Sequence, residues 1–303
     1  RELAFTAFAH DTRGMQRWVL DRLATLFDER RVRAGDRLYD EGDPGDTLYF
    51  MSRGAVRLAR EGSPAWTLDG RWVLGGNDVL LERPRNRTAT ALTDLELVTI
   101  PGGAWLELIE DSFDLARMIV ENTARGTAGL YARLGDAAFP APAADPSLPL
   151  PAGPLDLVER LLVVSDVALL READVQTLTN LAAAADEVAF APGEEMLRPG
   201  VARDRLFIVA DGLVEASRED PRVRGRFGPG DMVAGAAALG EPSLPWRAHA
   251  VDATRALAVP IDLLLDELEE HFDVVRAAMA AMVAERERLL DEIVRRDPDT
   301  VFG

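Results

Sequence analysis

The sequence predicts an α+β protein built from two β-rolls of the jelly-roll type, each flanked by helices, with a long C-terminal helix. Three observations predict this class. The segment RAGDRLYDEGDPGDTLYFMSRGAVRL (33–58) recurs as APGEEMLRPGVARDRLFIVADGLVEA (191–216). Short runs within each copy alternate apolar and polar residues between Gly, Asp and Pro, which is typical of antiparallel strands. Segments with helical periodicity lie on both sides of each copy.

The two copies are related by one constant offset over their first part, which indicates an internal duplication. The offset pairs Gly35 with Gly193, Gly42 with Gly200, Asp46 with Asp204, Leu48 with Leu206, Tyr49 with Phe207, Gly54 with Gly212 and Val56 with Val214. Small insertions then shift the register, so that GRWVLGG (70–76) matches GDMVAGA (230–236) and TALTDLELVTIP (90–101) matches HAVDATRALAVP (249–260). Both copies therefore end on a proline that precedes a helical segment.

A segment rich in Pro and Ala separates the copies and indicates a semi-extended linker. This segment is AAFPAPAADPSLPLPAGP (137–154). The helical patterns that bracket the strands lie at 15–28, 104–134, 155–187 and 261–296. We therefore predict a first domain with its flanking helices over 1–137, a linker over 138–154, and a second domain with the C-terminal helix over 155–303.

The last helical pattern (273–296) allows two interpretations. Its apolar positions lie near the a and d positions of a heptad repeat, and Arg286 interrupts them. These positions are Val275, Met279, Met282, Leu289 and Ile293. The helix either packs on its own domain or forms the seam of a homodimer, and about three heptads do not decide between the two.

Composition excludes several classes of function. The formal net charge of −18 repels phosphate backbones, so we expect no nucleic-acid partner. No apolar run approaches the roughly 20 residues of a membrane-spanning helix, and no signal peptide opens the chain, which predicts a cytoplasmic protein with no membrane partner. There is no cysteine, and His10, His249 and His271 lie far apart, so we expect no metal site. No nucleophile with a base and no phosphate loop of the Gly-x-x-x-x-Gly-Lys type is present, so we expect no catalytic residues and no enzyme.

The turn EGDPGD (41–46) and the strands around it, followed by a Gly-rich turn, a short helical stretch and RTATA (87–91), resemble the cyclic-nucleotide-binding domain. The resemblance covers about residues 15–137 and again about 155–296. In that family the amides of a short helix and one arginine hold the cyclic phosphate, and a glutamate before the helix binds the ribose. The resemblance implies cyclic AMP or cyclic GMP as ligand.

In the first copy, VLGGNDVLLERPRNRTATA (73–91) matches the arginine half of this phosphate cassette. The resemblance assigns to it Gly75, Gly76, Asn77, Arg87, Thr88 and Ala89. Gly76 stands where the family has its glutamate, so the ribose half does not match. For Arg87 the alternative is a structural salt bridge with an acidic neighbour, and Arg83 and Arg85 are interpreted as solvated loop charges.

In the second copy, VAGAAALGEPSLPWRAHA (233–250) matches the cassette poorly. Gly235 is retained, but Ala236 stands at the glutamate position and Trp246 at the position of Arg87. Arg247 stands one position after the one that corresponds to Arg87, at the position of Thr88. We predict that the indole ring of Trp246 fills this pocket and that the second domain binds no ligand.

Two functions follow from these observations. The first is a non-enzymatic regulatory or scaffold protein whose first domain binds a cyclic nucleotide or a related anion, which would move the helix after the roll (104–134). The second is a ligand-free interaction module, part of an assembly or a cargo adaptor, with a protein partner that the sequence does not identify.

Overall fold

The computed structural model describes residues 17–135, 150–171, 173–202, 204–219, 223–233 and 246–303. Two sets of antiparallel strands, flanking helices and a long C-terminal helix confirm the predicted fold class. The chain divides into two compact units, Arg1–Asn122 with Val283–Gly303, and Thr123–Met282. The sequence assigned 283–303 to the second domain, whereas this division groups them with the first unit. Residues 138–149 of the predicted linker lie outside the described residues.

Between residues 17 and 112, the described part of the first unit contains three helices and eight strands. The helices are α1 (Arg17–Leu26), α2 (Gly76–Leu80) and α3 (Gly102–Glu110). The strands are β1 (Asp28–Val32), β2 (Arg37–Tyr39), β3 (Thr47–Arg53), β4 (Ala55–Ala59), β5 (Trp66–Asp69), β6 (Trp72–Leu74), β7 (Thr88–Ala91) and β8 (Leu95–Pro101). The following helix, α4 (Phe113–Leu134), continues past the division between the units.

The described part of the second unit repeats this order of strands, except that it has no strand corresponding to β6. Its helices are α5 (Leu157–Ser165), a 3-10 turn (Ala168–Leu170), α6 (Val175–Ala184) and α7 (Ile261–Glu270). Its strands are β9 (Asp186–Phe190), β10 (Glu195–Leu197), β11 (Arg205–Asp211), β12 (Val214–Arg218), β13 (Val223–Phe227), β14 (Arg247–Ala250) and β15 (Thr254–Pro260). The last helix, α8 (Phe272–Arg296), contains the division after Met282, and β16 (Val301–Phe302) belongs to the first unit.

Most of the strand pairing is repeated in the second unit, so the duplication extends from sequence to topology. At the place of the β3–β6 pair the described part of the second unit has only an isolated bridge between Ile208 and Met232, and it contains no counterpart of β16. The first unit has sheets in the orders β1-β8-β3-β6 and β16-β5-β4-β7-β2, and the second unit has β11-β15-β9 and β10-β14-β12-β13. The register also repeats, since Thr47 faces Pro101 and Arg205 faces Pro260. The prolines aligned in the sequence therefore end equivalent strands.

Alternation along the strands places the apolar side chains in the core. In β4, Val56 and Leu58 are buried while Arg57 between them is exposed. Burial of such side chains is the main favourable contribution to folding, at about 25 cal/mol per Å² of apolar surface. The alternating pattern read from the sequence therefore corresponds to the two faces of real strands.

Glycine is required where the roll reverses after β3. Gly54 has φ 111°, and a Cβ there would lie 2.6 Å from the carbonyl oxygen of Asp94. Gly212 repeats this in the second unit, with φ 92° and Ala253 O at 2.6 Å. No other residue fits either position, which explains why this glycine occurs in both copies.

Two of the predicted helical segments are interrupted. The segment 104–134 is divided at Asp111 and Ser112 between α3 and α4. The segment 261–296 is divided at His271, whose φ of −127° and ψ of 87° lie outside the helical range. Apolar periodicity continues across both breaks, so the pattern alone does not reveal the change of direction.

The apolar side of α8 is covered by the chain itself. Its predicted a and d residues are buried, namely Val275, Met279, Met282, Leu289 and Ile293. This burial favours the interpretation in which the helix packs within its own chain. Beyond the helix, β16 pairs in parallel with β5, a contact that the sequence analysis did not predict. No helix in the described part of the chain is long and apolar enough to cross a membrane.

Candidate functional site

The predicted cassette of the first unit lies between β6 and β7 and includes α2. Gly75 precedes α2 with φ 73°, and a Cβ there would collide with the Arg85 guanidinium. Gly76 does not have a left-handed backbone, and a Cβ on it would lie 3.3 Å from Val73 Cγ1. Glycine is therefore required at the first position by both backbone and space, whereas the second position has only a close apolar neighbour.

Arg87 points onto a carboxylate. Its Nη2 donates to Asp291 Oδ1 at 2.7 Å and its Nη1 donates to Pro64 O at 2.6 Å. The guanidinium carbon lies 3.7 Å from the ring centroid of Trp66, which is a cation–π distance. Arg87 is only 3% exposed, and this burial lowers its pKa despite the opposing charge of Asp291.

Asp291 receives a second hydrogen bond at the same oxygen. The indole Nε1 of Trp66 donates to Asp291 Oδ1 at 2.8 Å. Asp291 lies on the part of α8 that belongs to the first unit. One carboxylate oxygen thus neutralises the buried guanidinium and accepts from the ring that the guanidinium stacks on.

One helical turn earlier, Glu287 accepts hydrogen bonds from three other side chains between β6 and β7. Its Oε1 accepts from Asn77 Nδ2 at 2.9 Å and from Arg83 Nη2 at 2.8 Å. Asn86 Nδ2 lies 3.3 Å from Oε2. Glu287 and Asp291 therefore bind donors on both sides of the loop between α2 and β7.

Arg83 and Arg85 are not solvated loop charges, so that prediction is wrong. Arg83 bridges two carboxylates, with Nε donating to Asp78 Oδ1 at 2.8 Å in addition to the Glu287 contact. Burial lowers the pKa of Arg83, but the hydrogen bonds and charges of Asp78 and Glu287 outweigh it and raise the pKa overall. Asp78 is buried, and its burial raises the pKa of its carboxyl although Arg83 and Arg85 oppose the shift.

Arg85 donates hydrogen bonds to the main chain next to the cassette. It is 2% exposed and donates to Gly75 O at 3.0 Å and to Thr47 O at 2.5 Å. Its guanidinium carbon lies 4.5 Å from the ring centroid of Tyr39. Its hydrogen-bond acceptors are main-chain carbonyls, and its Nη1 also lies 3.9 Å from the Asp78 carboxylate oxygen Oδ2.

The last two predicted site residues lie at the start of β7. Thr88 Oγ1 accepts from the backbone N–H of Glu41 at 3.0 Å. Ala89 is completely buried and faces Leu58 across the β4–β7 pair. Thr88 therefore ties the turn 41–46 to the cassette, and Ala89 belongs to the core.

In the second unit, Trp246 and Arg247 occupy the positions of Arg87 and Thr88 at the start of the equivalent strand. Trp246 is buried with 4% exposure. Arg247 is mainly exposed, and its Nη1 pairs with Glu195 Oε2 at 2.9 Å. Gly235 and Ala236 lie outside the described residues. Within the described ranges, no group of three His, Asp or Glu side chains is placed to hold a metal ion.

Three further residues of this site were not predicted from the sequence: Trp66, Glu287 and Asp291. The two acids lie four residues apart, which places them on one helix face. Such a pair is common on solvated helices, so the spacing alone is not specific. The contacts join residues more than 200 positions apart, and no local pattern reports this.

Comparison with known proteins finds one family twice in the chain. The family model described as cyclic nucleotide-binding domain (cNMP_binding) matches residues 29–112 and 187–271, which together make up more than half of the chain. The curated relatives include the cGMP-dependent protein kinase egl-4 of Caenorhabditis briggsae, 35% identical over 69 residues. The same kinase of Caenorhabditis elegans matches equally, over 23% of this chain and 9% of the kinase. The chain therefore spans less than a tenth of the length of these relatives.

Solved structures with similar folds include regulatory subunits of protein kinase A. The cAMP-bound PfPKA-R (141-441) is 19% identical with a TM-score of 0.37, and the match covers 96% of this chain and 89% of that one. The regulatory domain of Toxoplasma gondii PKA with cAMP is 15% identical with a TM-score of 0.34, over 94% of this chain and 95% of that one.

Proposed function

This chain belongs to the cyclic nucleotide-binding domain family, and we propose that it is a non-enzymatic regulatory or scaffold protein in which only the first domain holds an anion. The proposed anion site is the cassette assigned from the sequence: Gly75, Gly76, Asn77, Arg87, Thr88 and Ala89. The presence of the domain twice supports a regulatory role, and the relatives that share part of this sequence are named as cGMP-dependent kinases.

One observation carries the proposal, namely the buried ion pair of Arg87 with Asp291. A cyclic phosphate that approaches Arg87 in this conformation has to displace a carboxylate. Gly76 adds no carboxylate for a ribose hydroxyl, and a hydrogen bond to a charged group contributes about 1.5–3 kcal/mol. Its absence corresponds to roughly 10- to 100-fold weaker binding, so cyclic AMP and cyclic GMP are expected to bind weakly.

The proposed lack of ligand in the second domain is supported by two side chains. The ring of Trp246 is buried at the position of Arg87. Arg247 is paired with Glu195 on the surface of the sheet. Neither side chain offers a buried cation to a phosphate.

Calorimetric titration of the full chain with cyclic AMP, cyclic GMP and cyclic dinucleotides tests this function. The wild type is expected to bind at least one of these ligands saturably but weakly, with a Kd of about 0.1–1 mM. Arg87→Ala is compared with Arg247→Ala, which removes the same charge from the second cassette. Micromolar binding that Arg87→Ala abolishes and Arg247→Ala preserves would replace the proposal by a conventional nucleotide sensor.

The ligand-free interaction module is a second candidate, favoured by the fact that the cassette already holds a protein carboxylate. In that case the chain acts through a protein partner, or through a homodimer, and no nucleotide changes its assembly. Light scattering with and without nucleotide at about 1 mM separates the candidates, since only a regulatory ligand changes the mass or the partner binding.

A further inference from the structure

We propose that residues 283–303 are an internal acidic ligand of the first domain's cassette, and that a phosphate-bearing molecule competes with them for Arg87. We call these residues the C-terminal latch. The inference deepens the proposed function because it names what fills the anion site and what class of ligand replaces it. It depends on the family assignment for the position of the cassette, but not on nucleotide binding by the wild type.

Two acids of the latch accept hydrogen bonds from many side chains of the first domain. Glu287 and Asp291 accept from five side chains of the first domain: Trp66, Asn77, Arg83, Asn86 and Arg87. The two acids are one helical turn apart and therefore point to the same side of α8. Two carboxylates thus accept from one side chain of α2, three side chains of the loop 81–87 and one side chain of β5.

The guanidinium of Arg87 is buried. Arg87 is almost completely inaccessible, and its Nε has no acceptor among the described residues. A buried guanidinium without a counter-charge is strongly unfavourable. The site therefore requires an anion, and a carboxylate and a phosphate meet that requirement with the same charge-assisted hydrogen bonds.

Besides its two acids, the latch has a second contact with the first domain, through its last strand. Val301 and Phe302 add a parallel strand to β5, the strand that carries Trp66. Phe302 is buried, and its ring meets that of Trp72 edge-on at 6.5 Å between centroids. Strand addition with one buried side chain is a common way for a peptide segment to bind a sheet edge.

These contacts differ in kind, so a competing ligand is able to displace one part of the latch while the other part stays bound. The acids are exchangeable with another anion, because each interacts with the cassette through side chains rather than through the main chain. The strand and Phe302 are apolar and main-chain contacts that a phosphate does not mimic. A competing ligand is therefore expected to release the helical part from Glu287 to Asp291 first.

Hydrogen exchange of the full chain tests the internal ligand. In Glu287→Gln with Asp291→Asn, amides of 283–303 are expected to exchange at least about tenfold faster than in the wild type. The matched control is Glu285→Gln with Glu292→Gln, which removes two charges from the same helix. These two acids pair with arginines of α8 itself. Equal exchange in the two double variants would overturn the inference.

A double-mutant cycle distinguishes loss of the contact between Arg87 and Asp291 from a general loss of stability. Arg87→Ala, Asp291→Asn and their combination are compared in the same exchange experiment. If Arg87 and Asp291 hold the latch through each other, the combined variant exchanges no faster than the faster single variant. Multiplicative effects of the two substitutions would mean that the pair does not hold the segment.

Competition is tested with inorganic phosphate, cyclic AMP and cyclic GMP as separate probes. Glu287→Gln with Asp291→Asn is expected to bind at least one probe about tenfold more tightly than the wild type, and added Arg87→Ala is expected to abolish that gain. Binding of inorganic phosphate alone identifies a simple anion site, whereas preference for a nucleotide identifies contacts beyond the phosphate. Failure of all three probes with fast exchange at 283–303 would overturn the competition while the internal ligand stands. Tight nucleotide binding by the wild type overturns the proposed function instead, and the exchange experiment still decides on the latch.

Discussion

Two buried arginines two positions apart, Arg85 and Arg87, differ in their hydrogen-bond acceptors. Arg85 donates to the carbonyls of Gly75 and Thr47, which belong to the fold itself. Arg87 donates to a side-chain carboxylate on a separate segment, and only Pro64 offers it a carbonyl. Main-chain acceptors are fixed once the roll has formed, whereas a carboxylate on a helix end is replaceable. We therefore propose Arg87, whose carboxylate acceptor is exchangeable, as the arginine that binds an anion.

At the residue scale, the two adjacent glycines of the cassette offer a matched comparison. Gly75→Ala is expected to lower the free energy of unfolding by at least about 1 kcal/mol, because a left-handed residue with a Cβ is strained and this Cβ would collide with Arg85. Gly76→Ala is expected to cost clearly less, since its backbone is helical and alanine favours helices. Urea denaturation measures both, and equal losses would contradict the assignment of Gly75 as the required glycine.

The buried carboxyl of Asp78 predicts a pH dependence. Burial raises its pKa in the folded state above the ordinary value, and Arg83 and Arg85 only partly oppose this. The folded state therefore binds the proton more readily than the unfolded state, and the resulting stability is lost as the pH rises through the raised pKa. The free energy of unfolding of the wild type minus that of Asp78→Asn is expected to fall between about pH 3.5 and 7. Denaturant titrations over that range measure the difference, and a flat or rising curve would contradict the shift.

At the element scale, the sequence predicts well what depends on local pattern. The strands of both rolls follow from alternation and from the repeated turn glycines such as Gly54 and Gly212. The break at His271 and the strand β16 were missed, because a two-residue strand has no periodicity and pairs with a segment far away in the chain. The ion pair of Arg83 with Glu287 was missed for the same reason, since Glu287 lies on the last helix.

The helix α8 permits a test of its two interpretations. Met282 is 3% exposed within the chain, so Met282→Glu is expected to lower the free energy of unfolding by about 2–5 kcal/mol without changing a monomer's mass. Ala284→Glu places the same charge two positions away at an exposed site and is expected to be nearly neutral. Denaturant unfolding and light scattering measure the two effects. A wild-type dimer that Met282→Glu converts into a stable monomer would restore the dimer seam.

On the scale of the whole molecule, duplication has preserved topology but not the chemistry of the cassettes. The pairing β1-β8-β3 recurs as β9-β15-β11, yet Arg87 has Trp246 as its counterpart. The boundary between the units also departs from the repeat, because the division falls inside α8 and gives its last turns to the first unit. A sequence repeat locates copies of a fold, but it does not decide which copy a following segment packs on. The domain boundaries drawn from the sequence therefore remain a proposal.

The assignment of the chain's end to the first unit is tested by two neighbouring residues of β16. Phe302→Ala removes a buried ring next to Trp72, and it is expected to speed hydrogen exchange in β5 by about tenfold or more. Val301→Ala changes an exposed side chain on the same strand and is expected to have little effect. Exchange in β12 and β13 of the second unit is expected to stay unchanged in both variants. If Phe302→Ala instead accelerates exchange in those strands, the last residues stabilise the second domain, as the sequence boundary at 155–303 would require. Faster exchange that is confined to β5 and 283–296 would assign the end of the chain to the first unit. The stability of the first unit would then depend on residues that lie outside the repeat.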